Sequence, residues 1–244
     1  FAISKIGAVE VPINTAYKGE ILKHILNSSD TKLIIFDSRY LGEINDIYKD
    51  CEKIETYIIN DKEKNNKKYP IKLDNLYKKN IENLNTDIKY TDTACLLYTS
   101  GTTGLSKGVV MNNHFLWSFG VNVAQINQID KSDISYNYLP FFHIAGKFLL
   151  MASLLVDAKN IVIPQLSISR FWDDINKYNA TLMVAAGGVC NMIFSQPPSK
   201  DDLKNSLKLI YAVPIPSEFA TEFENRFGVK FIEAYGSTEL NVVA

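Results

Sequence analysis

Cysteine is scarce: only Cys51, Cys95 and Cys190 occur in 244 residues, an odd number set far apart. That excludes a disulfide framework, and with no CxxC pair or Cys/His cluster it also argues against structural zinc. A reducing, cytoplasmic setting is the expectation. Long hydrophobic runs are missing too. The longest strongly apolar stretch, Phe148 to Val156, lies between Lys147 and Asp157 and is far short of the roughly 20 residues that a bilayer span needs. It reads as a buried helix, and no transmembrane segment is expected. The residues after Phe1 show no basic stretch leading into an apolar one, so no signal peptide is visible. A start other than Met suggests a piece of a longer protein. Nor is there an excess of charge: 26 Lys plus Arg stand against 27 Asp plus Glu, a net charge of −1. The broad basic footprint of a nucleic-acid binder is absent, and no nucleic-acid partner is expected.

What is present is an ordinary globular composition, 46% hydrophobic and 22% charged, apolar enough to bury a sizeable core. Apolar runs alternate with helical patterns, the mark of an α/β chain. A short strand is expected at Ala8–Val11, a helix around Ile21–Leu26, a strand at Lys32–Phe36, a helix near 41–50 and a strand at Thr56–Ile59. Residues 60–92, with the run Asn60-Asp61-Lys62-Glu63-Lys64-Asn65-Asn66-Lys67-Lys68, read as a flexible connector, because acids and amides interrupt the lysines. From Ala94-Cys95-Leu96-Leu97-Tyr98 the alternation is continuous. Helices are expected near 113–127, 145–156, 168–178, 188–195 and 217–226, with strands at 134–139, 160–163, 180–185, 207–212 and 229–234.

One loop stands out. Between Tyr98 and Val109 lies Thr99-Ser100-Gly101-Thr102-Thr103-Gly104-Leu105-Ser106-Lys107-Gly108. Glycines let backbone N–H groups approach a ligand, hydroxyls donate to phosphate oxygens, and a lysine supplies a point charge. An ordinary surface turn would explain the glycines but not the dense hydroxyls followed by lysine. The spacing does not fit G-x-x-x-x-G-K-[ST], since Ser106 stands five residues after Gly101 and Gly108 follows Lys107; no GxGxxG occurs either.

The segment from Tyr98 to Gly108 resembles the phosphate loop of the adenylate-forming enzymes: acyl- and aryl-CoA synthetases, firefly-type luciferases and the adenylation domains of peptide synthetases. Ser106 stands where many relatives have proline. Two further segments fall in the family's order. Leu139-Pro140-Phe141-Phe142-His143-Ile144-Ala145-Gly146 resembles its second motif, and Ala234-Tyr235-Gly236-Ser237-Thr238-Glu239 resembles the motif that packs on adenine. Residues 2–14 and 170–198 are similar to family segments as well, the latter to the branch containing crotonobetaine/carnitine-CoA ligase. Tyr211-Ala212-Val213-Pro214-Ile215-Pro216 departs from the glycine-rich stretch that many relatives carry beside adenine, a trait shared by that branch.

The resemblance implies an α/β fold of mostly parallel sheets flanked by helices. Residues 1–244 would be part of the large N-terminal AMP-binding domain, truncated, with the ribose-binding aspartate, the hinge and the C-terminal lid domain with its catalytic lysine all missing. The fragment alone would then be inactive. It implies ATP, Mg²⁺ and CoA, a small carboxylic acid as substrate, and a lean toward a carnitine-like or short polar acid. Thr99, Ser100, Gly101, Thr102, Thr103, Gly104 and Lys107 would hold the β- and γ-phosphates. Glu239 would bring in Mg²⁺ together with the Thr99 hydroxyl, Thr238 would hold the α-phosphate, and Ala234, Tyr235 and Gly236 would border adenine. His143 would lie between nucleotide and carboxylate, with Gly187 and Gly188 beside the acyl group. Thr99, Lys107, His143 and Glu239 are thus the expected catalytic set. Cys190 and Met192 read as core, and His24 and His114 as ordinary residues. The activity implied is an acid–thiol ligase. The alternatives are adenylation with another acceptor, such as a carrier-protein phosphopantetheine, or a catalytically incomplete nucleotide-binding fragment.

Overall fold

The computed structural model describes residues 2–61, 68–77, 82, 84–99, 105–233 and 235–243. The α/β class expected from the alternation is what forms, in two compact units, residues 1–112 and 113–244.

In the first unit, helix α1 (Ala2–Lys5) is followed by α2 (Gly19–Ser28), strand β1 (Leu33–Asp37), α3 (Leu41–Ile47), β2 (Thr56–Asn60) and β3 (Ile71–Lys72). The three strands form one parallel sheet in the order β1-β2-β3. Leu22 and Leu26, one turn apart on α2, pack with Ile34, Phe36, Ile44 and Ile59 in its core. Such a face, apolar at helical spacing, is what makes a short helix stable in tertiary context. Two expectations are corrected here. The segment Ala8–Val11 forms no strand but a single bridge, Glu10 beside Cys95, held by Glu10 N–H to the Ala94 carbonyl and Leu96 N–H to the Glu10 carbonyl. The stretch 60–92 is not all connector: β3 pairs with β2 through Ile71 and Ile58, and Tyr69 is buried edge-on against Phe36, ring centres 5.2 Å apart. That one large side chain gives the segment a place in the core. The interrupted lysine run at 62–67 lies outside the described residues.

The unit ends in an antiparallel hairpin, β4 (Thr93–Thr99) against β5 (Lys107–Asn112). Cross-strand partners share a face of the hairpin. Cys95, Leu97 and Met111, fully buried, lie on one face, and the pair Thr99 and Lys107 ends that same face.

The second unit runs α4 (Asn113–Ile126), β6 (Ile134–Asn137), α5 (Ile144–Leu155), β7 (Lys159–Val162), α6 (Phe171–Tyr178), β8 (Leu182–Ala186), α7 (Gly187–Phe194), β9 (Leu209–Val213), α8 (Ala220–Phe227) and β10 (Lys230–Glu233). The five strands are parallel in the order β10-β9-β8-β6-β7. A helix links each consecutive pair, as parallel neighbours require. Alternation splits the strands between two cores. Leu182, Val184 and Tyr211 pack with Phe119, Val123, Phe148 and Ala152 of α4 and α5. Met183, Ala185, Ile210 and Ala212 pack with Phe171, Cys190, Phe223 and Phe227 of α6 to α8. Helix α6 ends at Asn179 and α8 at Gly228, both left-handed, the usual way of stopping a helix. The helix expected at 168–178 starts as a 3-10 turn at Ile168–Arg170 before α6, and other boundaries shift by a few residues. A second antiparallel hairpin, β11 (Tyr235–Ser237) with β12 (Asn241–Val243), follows β10.

Candidate nucleotide and acyl site

Counted along the chain, the five-stranded sheet runs 2-1-3-4-5. In such doubly wound sheets, ligands bind outside the carboxyl ends of the strands where the order reverses. Here the reversal falls between β6 and β8. The segment leaving β6 contains His143, and the residues leaving β8 are Gly187 and Gly188. The three residues expected to meet the substrate therefore flank the switch point of one sheet.

The β6 exit is tightly braced. Asn137 is buried at the end of β6; its Nδ2 donates to the Gly146 carbonyl at 2.8 Å and its Oδ1 accepts from Leu139 N–H at 3.2 Å. His143 is exposed and caps α5, its Nδ1 accepting from Ala145 N–H at 3.1 Å. A ring nitrogen that accepts carries no proton, so Nε2–H is the donor of the neutral ring. Gly146 explains the last position of the motif. A Cβ there would stand 2.3 Å from the Pro140 carbonyl oxygen and 2.9 Å from that of Leu139. Only a residue without a side chain lets α5 begin this close to the loop.

At the β8 exit, Gly187 begins α7, and a Cβ on it would stand 3.4 Å from the Pro214 carbonyl oxygen, an ordinary contact, while apart from chain neighbours and the backbone of α7 no described atom lies within 4 Å of where a Gly188 side chain would start. Behind them burial pushes the Cys190 thiol up to about 11. It stays neutral near pH 7 and is an inert core group, not a nucleophile. At the β9 exit, where the sequence departs from many relatives, Ala212 is core and Val213 exposed. Ile215 N–H donates to Glu233 Oε1 at 3.4 Å, joining the β9 and β10 exits. Beyond β10, Tyr235 is 71% exposed and Gly236 is exposed as well. Thr238, half-buried, and Glu239, exposed, form the turn of the β11–β12 hairpin. Ala234 lies outside the described residues.

In the first unit, Thr99 and Lys107 are cross-strand partners at the mouth of the β4–β5 hairpin, which sets a hydroxyl beside an ammonium on one face. Ser100, Gly101, Thr102, Thr103 and Gly104 lie outside the described residues. On the opposite face Tyr98 pairs with Gly108, and a Cβ on Gly108 would come within 3.1 Å of the Tyr98 ring. The Tyr98 hydroxyl and Ser28 Oγ are 2.7 Å apart. His24, read from the sequence as ordinary, places Nε2 2.9 Å from the Ser106 carbonyl oxygen. Its partner is a backbone atom, which leaves no trace in residue spacing.

Among the described residues no group of three or more His, Cys, Asp or Glu is arranged to hold a metal ion. Lys107 and Glu239 are exposed, and neither makes an ion pair among the described residues. A lone accessible carboxylate suits Mg²⁺, which keeps several waters and takes most other ligands from substrate phosphates.

A family model described as AMP-binding enzyme matches residues 1–244. Long-chain fatty acid transport protein 2 of Rattus norvegicus is 32% identical over 163 residues, 66% of this chain and 26% of that protein. Crotonobetaine/carnitine–CoA ligase of Proteus mirabilis (strain HI4320) is 28% identical over 255 residues, 98% of this chain and 47% of that protein. The solved N-terminal domain of FACL13 from Mycobacterium tuberculosis has the same fold, with a TM-score of 0.84 and 22% identity over 97% of this chain and 58% of that one. The chain thus spans less than half the length of these two curated relatives.

Proposed function

Because this chain belongs to the AMP-binding enzyme family, we propose that it activates a carboxylic acid with ATP to an acyl-adenylate, and that the protein then passes the acyl group to the thiol of CoA. The observation that carries this reading is the placement of His143, Gly187 and Gly188 in the segments leaving β6 and β8, at the carboxyl edge of a parallel sheet on either side of its switch point. The CoA ligase among the relatives supports the choice of acceptor.

In this reading a carboxylate oxygen attacks the α-phosphorus of ATP, the bond to the β-phosphate oxygen breaks, and pyrophosphate leaves. The carboxylate is a weak nucleophile repelled by the phosphates, so the protein's work is positioning and charge compensation. Thr99 and Lys107, with Ser100 to Gly104, hold the β- and γ-phosphates. Thr238 holds the α-phosphate, Tyr235 covers adenine beside Ala234 and Gly236, and His143 donates from Nε2 between nucleotide and acid. Gly187 and Gly188 leave room for the acyl chain. Glu239 and the Thr99 hydroxyl would hold Mg²⁺, which would supply positive charge against the phosphate oxygens. The CoA sulfur then attacks the acyl carbon and AMP departs. No covalent enzyme intermediate enters this scheme, in keeping with the neutral Cys190 thiol. The three free cysteines, all buried, accord with a reducing cytoplasm, and no described helix is long and apolar enough to cross a membrane.

The reading assigns nucleotide and acid binding to residues 1–244 and completion of catalysis to a C-terminal domain, so that the 244 residues alone hold ATP without turning over. The test is acid-dependent ATP–pyrophosphate exchange and thioester formation, with a panel of carboxylic acids, by the full-length protein beside residues 1–244. Exchange with thioester formation on CoA by the full-length protein supports the reading. Exchange with transfer only to carrier-protein phosphopantetheine moves the acceptor, and no exchange with any acid overturns the activity. Equal turnover by the 244 residues overturns the division of labour.

A further inference from the structure

The charge and hydroxyl at the mouth of the β4–β5 hairpin are useful only if the hairpin stem stays where it is. Helix α2 holds it at two points. His24 and Ser28 are four residues apart and so share one helix face. His24 Nε2 meets the Ser106 carbonyl at 2.9 Å, Ser28 Oγ meets the Tyr98 hydroxyl at 2.7 Å, and the His24 and Tyr98 rings stand edge to face, centres 6.5 Å apart. The opposite face of α2 is fixed in its turn, since Leu22 and Leu26 belong to the core of the three-stranded sheet.

The Ser106 carbonyl and the Lys107 amide are one planar peptide unit. A donor on the carbonyl oxygen restrains that plane and, together with the pairing of Lys107 to Thr99, the direction in which the Lys107 side chain leaves the backbone. Gly108, the next residue, lies under the Tyr98 ring. Lys107 is therefore framed on both sides by groups tied to α2. A carbonyl acceptor requires Nε2 to carry the proton, which both the neutral tautomer and the imidazolium provide. The bond involves no side chain at position 106, so serine or proline there serves equally.

We propose that His24 is a positioning residue for the phosphate loop, acting on the triphosphate through the Ser106–Lys107 peptide. This rests on the reading of Lys107 as a phosphate ligand. The test compares His24→Phe, which keeps a ring without a donor, with His24→Gln, whose amide nitrogen has nearly the reach of Nε2, in the full-length protein. Hydrogen exchange of amides 105–112 in the absence of nucleotide should quicken in His24→Phe and stay near wild type in His24→Gln. In pyrophosphate exchange, kcat/KM for ATP should fall about tenfold in His24→Phe, the scale of one lost hydrogen bond, while KM for the carboxylic acid stays within about twofold and His24→Gln recovers most of the loss. Unchanged amide exchange in His24→Phe overturns the proposal, as does equal damage to the ATP and acid parameters, the mark of general destabilisation. A wild-type protein with no exchange activity counts against the proposed function, and amide exchange then decides the anchor alone.

Discussion

Two antiparallel hairpins carry the charged groups proposed for the phosphates and their Mg²⁺, and they are built in opposite ways. The β4–β5 hairpin buries Cys95, Leu97 and Met111 along one face and is tied to α2 on the other. The β11–β12 hairpin exposes Tyr235, and Leu240 in its turn is 65% exposed. Its turn closes on itself through Leu240 N–H, which donates to the backbone carbonyl and to Oγ of Ser237. The first is a stem whose geometry is dictated by buried side chains, the second a short ribbon that closes through its own backbone and runs beside α4. A charge at the end of the first is delivered to a defined place by burial. A charge at the end of the second depends on what it meets.

The largest effect should come from removing the two charges. Lys107→Ala and Glu239→Gln should each reduce ATP–pyrophosphate exchange by about 2–4 kcal/mol in transition-state terms, with Glu239→Gln also raising the Mg²⁺ requirement. Both side chains are exposed, so thermal unfolding should barely change. Wild-type exchange in either variant would break the assignment of that hairpin. Next comes stability. Leu97→Ala should destabilise the fold by about 2–5 kcal/mol, the range for a truncated core leucine, whereas Leu240→Ala should stay within about 0.5 kcal/mol. Urea titrations of the two variants check the contrast, and comparable losses would erase it. Gly108→Ala is smaller. Its Cβ must displace a Tyr98 ring that is tethered at its hydroxyl, at about 1 kcal/mol, and relieving the crowding with Tyr98→Leu in the same chain should recover part of it. Smallest is Ser28→Ala, an exposed hydrogen bond of about 0.5 kcal/mol, seen as slightly faster amide exchange at 108–110.

The parallel sheet was legible because short strand-like segments, wholly apolar in β8 and β9, alternate with periodic helical ones, and both cores follow from that alternation. The small first-unit sheet was legible only in part. Strand β3 has two residues, too few for a pattern, and the burial of Tyr69 is set by Phe36 and the neighbouring tyrosines, distant in sequence. Val9 is exposed, so an apolar segment that looked like a strand lacks the burial that would complete one. For the proposed site, hydroxyl and lysine chemistry singled out the loop of Thr99 and Lys107, whereas His143 and Glu239 came from the resemblance of their motifs. His24 was invisible for the converse reason: its acceptor is a main-chain oxygen 82 residues away, and any residue at 106 would present the same atom. Asn137, whose side-chain amide braces the loop bearing His143 by bonds to main-chain groups, was missed in the same way.

The close seating of Gly146 on the carbonyls of Leu139 and Pro140 makes the His143 loop and the start of α5 a single rigid casting. Nothing can be added to that wall without moving main chain. The β8 exit is different, for apart from its chain neighbours and the backbone of α7 no described atom lies within 4 Å of a side chain begun at Gly188. Under the proposed function, a lineage that changes its acid has a fixed position at the β6 exit and an adjustable one at the start of α7. On the same reading, successive side chains at 188 would shorten the space for the acyl chain while His143 stays fixed as the cap of α5.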